Sequence, residues 1–159
     1  MKKITQSVEH WSTVGGKGNL AIFNRGVPKW IFSMHCVFAQ WLKDSYPVRH
    51  YILTDLMNRA SVSRKEHYVG TFSASSYRKC CPNITLACKT PSIKGLDRYT
   101  QHSFKVYELL NTFAHEFVHY EQWRDKKPMT HRGVENRVLA ILKKFNKYAV
   151  KWLYTLNII

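Results

Sequence analysis

The sequence has no long hydrophobic run. Its most apolar segment, WIFSMHCVFAQWL, is interrupted by His35 and Gln40 and falls short of the roughly 20 apolar residues a membrane-spanning helix needs. The opening MKKITQSVEH carries lysines with no apolar stretch behind them, so no secretory leader and no membrane partner are expected, and a cytoplasmic location is. Cysteine is sparse: Cys36, Cys80, Cys81 and Cys88 include no Cys-x-x-Cys pair. That spacing argues against a zinc knuckle or a secreted disulfide framework. A link from Cys80 or Cys81 to Cys88 is geometrically conceivable, but reduced thiols suit the expected compartment better.

Acidic residues are scarce as well, 10 against 25 basic ones, for a net charge of +15. Such a balance attracts polyanions through release of condensed counterions, so nucleic acid is a candidate partner. Zinc-finger spacing, RNP-type aromatic motifs and a Gly-x-x-Gly clamp are all absent, however, and the lysines are dispersed. The densest run, Lys143, Lys144, Lys147 and Lys151, falls on the outer side of a predicted helix. Internal repeats and low-complexity tracts are also missing.

At 159 residues, 45% of them hydrophobic, the chain suits one domain with a substantial core. Residues 1–27 read as an irregular arm, because Gly15, Gly16, Gly18 and Gly26 break every candidate helix. The single domain then covers 28–159. Pro28 introduces an amphipathic helix over Lys29–Lys43, with Trp30, Ile31, Met34, Val37, Phe38, Trp41 and Leu42 at helical spacing. Three segments of strand character follow, Val48–Thr54, Tyr68–Ala74 and Asn83–Lys89. Ser103 is a plausible cap for a helix reaching about Asp125, and Thr130 for a last helix. Helix, three strands, helix, helix is an α+β order.

Ala114-His115-Glu116-Phe117-Val118-His119-Tyr120 sets two histidines one helical turn apart with a glutamate between them. At about 100° per residue, His115 and His119 share a face with Glu108 and Thr112, while Val106, Leu109, Leu110, Phe113, Phe117 and Tyr120 gather opposite. The polar face predicts a cleft. Two neutral imidazoles at i and i+4 can hold one zinc ion, and the carboxylate beside the first can act as general base toward water there, handing the proton on to a leaving amine. Glu116 is the residue for that role.

A catalytic zinc needs a third protein ligand. A His-x-x-Gly-x-x-His extension is missing, since Gln122 and Asp125 stand at its places. Downstream, Thr130-His131-Arg132-Gly133-Val134-Glu135 leaves two candidates. Val134, Val138, Ile141, Phe145, Tyr148 and Trp152 form a buried seam on the last helix, and Glu135 sits beside it near the helix start, where a carboxylate is favoured. Glu135 is the preferred ligand on that ground. His131 is the alternative, and can instead donate a hydrogen bond to a substrate oxyanion.

With Ile84-Thr85-Leu86-Ala87 as an edge strand, the His-Glu-x-x-His helix and a following helix bearing Glu135, the chain resembles the minimal gluzincin metallopeptidases, including the SprT-like proteins of phages and bacteria. The resemblance spans Lys29 to Tyr148. It implies a backing helix, a small twisted three-stranded sheet whose edge strand lines the cleft, zinc on His115, His119 and Glu135, and catalysis by Glu116. A peptide or protein substrate would add to Asn83–Lys89 through backbone hydrogen bonds. SprT-like proteases are associated with protein substrates held on DNA, a setting that suits the positive charge.

Overall fold

A computed structural model describes residues 8–63, 65, 67–74 and 81–155, the last four as backbone alone. The elements are β1 (His10–Ser12), β2 (Asn19–Arg25), α1 (Lys29–Ser45), β3 (Tyr51–Met57), β4 (Gly70–Ser73), β5 (Asn83–Ala87), α2 (Arg98–Arg124) and α3 (Val134–Thr155). Among the described residues the fold is α+β, three helices with one five-stranded mixed sheet. Strand order is β1-β2-β3-β5-β4. The inner three strands are parallel, and β1 and β4 pair antiparallel on the two outer sides.

Two expectations are corrected by this sheet. Residues 1–27 are not an irregular arm where they are described, because β1 and β2 lie within them and β2 is an inner strand. Leu20, Ala21 and Ile22 are exposed by no more than 1%. Their continuous apolar run is the pattern of a strand covered on both faces, where the alternation of a half-exposed strand does not occur. The glycines around it end the strand rather than abolish it. The three-stranded sheet therefore becomes five-stranded. Residues 1–7 and Cys80 lie outside the described residues.

The second correction concerns the cleft edge. Ile84, Thr85, Leu86 and Ala87 belong to β5, which pairs with β3 on one side and β4 on the other. An inner strand has its backbone hydrogen bonds engaged on both sides and cannot accept another chain. The outer strand on this side is β4, built from the second of the three predicted segments.

Helices α1 and α2 lie against the sheet and meet where Phe38 and His35 pack on Phe113. The seam of α3 closes over them: Val134, Val138 and Ile141 are buried, and Phe145 packs edge-on against Phe38 and Trp41. Tyr148 is 43% exposed, so the seam loosens toward the helix end. The side chain of Trp152 lies outside the described set. On α1 the buried arc includes His35 while Val37 is 55% exposed. Phe38, Phe113, Phe117 and Tyr120 are all wholly buried, each worth about 1.5–3 kcal/mol over its exposed state. This aromatic block is the floor on which α2 rests.

Candidate metal centre and cleft

Helix α2 starts at Arg98, five residues before Ser103, because Asp97 caps it: its carboxylate accepts the Thr100 amide at 2.9 Å and the Thr100 hydroxyl at 2.6 Å. The division of its faces holds as expected. Leu109, Leu110, Phe113, Phe117 and Tyr120 are buried in the core. Glu108, Thr112, His115, Glu116 and His119 line a cleft of about 560 Å³ that α2 shares with the segment His67–Phe72. A cleft wall, not open solvent, covers this face: His119 is 8% and Glu116 6% exposed.

His131 joins the two histidines of α2. After Arg124 the chain turns sharply at Lys126, whose φ is 54°, and the Lys127 amide returns to the Gln122 carbonyl at 2.8 Å. The Gln122 side-chain amide then donates to the Thr130 carbonyl at 2.9 Å. These bonds lay the connection back along the last turns of α2. The His131 ring comes to rest 5.5 Å from that of His115 and 5.1 Å from that of His119, centroid to centroid. The three side chains have ligand atoms all within 4.8 Å of one another, so they form a group able to hold a metal ion.

Glu135, the preferred third ligand, is not in that group, whereas the alternative, His131, is. The expected helix start at Thr130 is displaced to Val134, because Gly133 takes a φ of 76° that no helix contains. His131 is thereby released from the helix and free to turn toward α2. Glu135, in the first turn of α3, is exposed. It remains close enough for its negative charge to favour the His115 cation, against burial and the charges of His119 and His131, which push the His115 pKa down.

The spacing of His115 and His119 suits a tetrahedral ion. Metal–nitrogen bonds of about 2.0–2.1 Å place two ligand nitrogens roughly 3.4 Å apart, and His119 Nε2 lies 3.2 Å from His115 Nε2. His119 is also oriented from behind. Its Nδ1 is 2.8 Å from Gln122 Oε1, and since the Gln122 amide nitrogen is occupied with Thr130, Nδ1 is the donor. Nε2 then presents a lone pair to the centre, the arrangement by which outer hydrogen bonds fix the tautomer of a metal-binding histidine.

Beside these rings the Glu116 carboxylate opens on the same cleft with no hydrogen-bond partner among the described residues, and burial pushes its pKa up to about 7. The neighbouring strand passes very close. A Cβ at Gly70 would sit 2.9 Å from Glu116 Oε1 and 2.8 Å from Thr112 Cγ2, so only glycine lets β4 approach α2 here. Sequence reasoning alone singles out neither Gly70 nor Gln122. Both leave signals: a lone glycine inside a strand pattern marks close backbone approach, and Gln122 stands three residues after His119, within reach on a helix.

Comparison with protein-family models, with curated proteins and with solved structures returns no match to the chain.

Proposed function

We propose that the chain is a metal-dependent peptidase, with zinc as the ion that best suits three imidazoles and an open position. The observation that carries this reading is Glu116: a buried carboxylate with no partner among the described residues, opening on the cleft in which three histidines converge. A purely structural metal has no use for such a group. His115, His119 and His131 would hold the ion, and when bound it supplies Lewis acidity toward water and toward the scissile carbonyl. Glu116 takes the proton from the attacking water and delivers it to the leaving amine. Imidazole ligands bind metal in the neutral form, a state that burial favours for His115. With His131 engaged as a ligand, its alternative role as oxyanion donor falls away. Gln122 holds His119 and the His131 connection in register.

Substrate recognition belongs to β4. Its outer side carries no neighbouring strand among the described residues, and it forms one wall of the cleft. An extended peptide added there runs past Glu116 and the histidines. No helix among the described residues is long and apolar enough to cross a membrane.

The test combines metal content with turnover. Purified without chelator, the chain should carry one zinc ion and cleave casein or itself. Glu116→Gln should keep the zinc and lose at least about 100-fold in rate, the lower end of what a general base contributes. A zinc-loaded wild type that is inert on casein, on itself and on peptides overturns the proposal.

A second reading, nucleic-acid binding, is favoured by a separate hollow beneath the connection, lined by Arg124, Lys127, Arg132 and Arg137. Arg124 and Arg137 are paired with Asp125 and Glu121, whereas Lys127 and Arg132 make no ion pair among the described residues. A gel shift that weakens steeply with salt supports phosphate contacts there, and indifference to salt refutes them.

A further inference from the structure

The acidic side chains of this basic protein divide into two groups. Asp55, Glu121 and Asp125 are ion-paired with Arg25, Arg137 and Arg124. Glu9, Asp44 and Asp97 accept hydrogen bonds from Asn24, Gln40 and Thr100. Glu108, Glu116 and Glu135 alone among the described acids have neither. With 25 basic residues in the chain, an acidic side chain that finds no cation is the exception. Glu108 and Glu116 line the same cleft, and Glu135 is near enough to act on His115.

The cleft also has a direction. Gly70 lies over Thr112 and Glu116, and Phe72 reaches Tyr120 and Trp123 at 6.3 and 6.2 Å between ring centroids. Strand β4 therefore runs in the same sense as α2, and a peptide added to β4 lies along the helix. Glu108 stands eight residues before Glu116, about 12 Å at a rise of 1.5 Å per residue. An extended chain covers that distance in three or four residues. Tyr68 and Val69, 57% and 51% exposed, line the same cleft and offer an apolar wall to the methylene stem of a long cationic side chain.

We infer that the cleft selects polypeptide segments carrying lysine or arginine, with Glu108 as the specificity-determining residue for a cationic side chain three or four residues from the scissile bond. This rests on the peptidase reading and adds the substrate class. The protein's overall positive charge repels such a segment at long range, but at physiological salt that field is screened beyond about 8 Å, while a contact pair at Glu108 is screened far less.

The experiment walks a single lysine along an alanine-rich peptide. Binding is read by fluorescence anisotropy on zinc-loaded Glu116→Gln, and cleavage by wild type is read by mass spectrometry, both at 0.15 M salt. With lysine in register the peptide should bind about fivefold tighter than its all-alanine counterpart, the scale of a partly exposed ion pair, and be cut three or four residues away. Adding Glu108→Gln should remove the preference, and Glu108→Lys should transfer it to a glutamate-bearing peptide. Equal binding of lysine, alanine and glutamate peptides, or a lysine preference that survives Glu108→Lys, overturns the inference. Cleavage without any charge preference leaves the peptidase standing and refutes the subsite. A lysine preference in binding, with no cleavage by wild type, refutes the peptidase and leaves Glu108 as a cation subsite.

Discussion

The two halves of the histidine cluster are held in different ways. His115 and His119 ride on a 27-residue helix whose opposite face is buried to the last side chain at Phe113, Phe117 and Tyr120. Their separation is a consequence of helical pitch. His131 sits on an exposed connection whose course depends on a left-handed turn at Lys126, a glycine at 133 and the strap from Gln122 to Thr130. One half is set by local periodicity and a packed core. The other is set by a few hydrogen bonds between segments, so it is the softer part of the site.

Removing the histidines one at a time separates the halves most sharply. Zinc affinity, read by competition with a chelating dye, should fall by well over 100-fold in His119→Ala and in His131→Ala, beyond the effect of losing an outer-shell partner. Glu135→Ala should change it little. Zinc lost in Glu135→Ala and kept in His131→Ala would reverse the assignment of the third ligand.

Undermining the helical half should take the whole site with it. Phe117→Ala empties a wholly buried position and should cost about 3–5 kcal/mol of unfolding free energy in urea. A cost below 1 kcal/mol would mean that α2 does not depend on this floor.

The same floor contains a pH sensitivity. His35 is fully buried, with Nδ1 2.7 Å from the Ile31 carbonyl, Nε2 without a partner and its ring stacked on Phe113 of α2. Burial lowers its pKa from 6.5 to about 4. The unfolded chain therefore takes up a proton that the folded chain refuses. Its contribution is fully present above about pH 6.5 and is lost as pH falls toward 4, on the order of 3 kcal/mol. Urea denaturation of His35→Leu across that range should show a flatter profile than wild type. Parallel profiles would assign the acid sensitivity elsewhere.

The smallest effect should come from cutting the strap. Gln122→Ala removes the bond to His119 and the bond to Thr130 from a partly exposed position. Zinc affinity should drop about 10- to 100-fold while thermal stability stays close to wild type. An unchanged affinity would show that the connection finds His131 its place unaided.

The separation into a packed and a chemical face of α2 is legible because both faces repeat with one helical period. The α1 and α3 seams follow the same rule. Strand β2 escaped that logic: an inner parallel strand has no polar face, and a four-residue apolar run between glycines has no period to detect. The edge of the sheet is equally invisible, because β5 and β4 carry similar strand signals and only pairing decides which is inside.

The sequence by itself determined that His115 and His119 share one face of a helix, since residues four apart on an α-helix must, and that Glu116 stands beside the first of them. It also determined that the opposite face is apolar enough to anchor that helix. Tertiary structure alone decided that His131 and not Glu135 completes the cluster, and that β4 and not β5 borders the cleft. Both outcomes depend on where separate segments come to lie in space: a glycine in the left-handed region delays α3 and frees His131, and a parallel crossover places β5 inside the sheet. No periodicity within either segment contains that information.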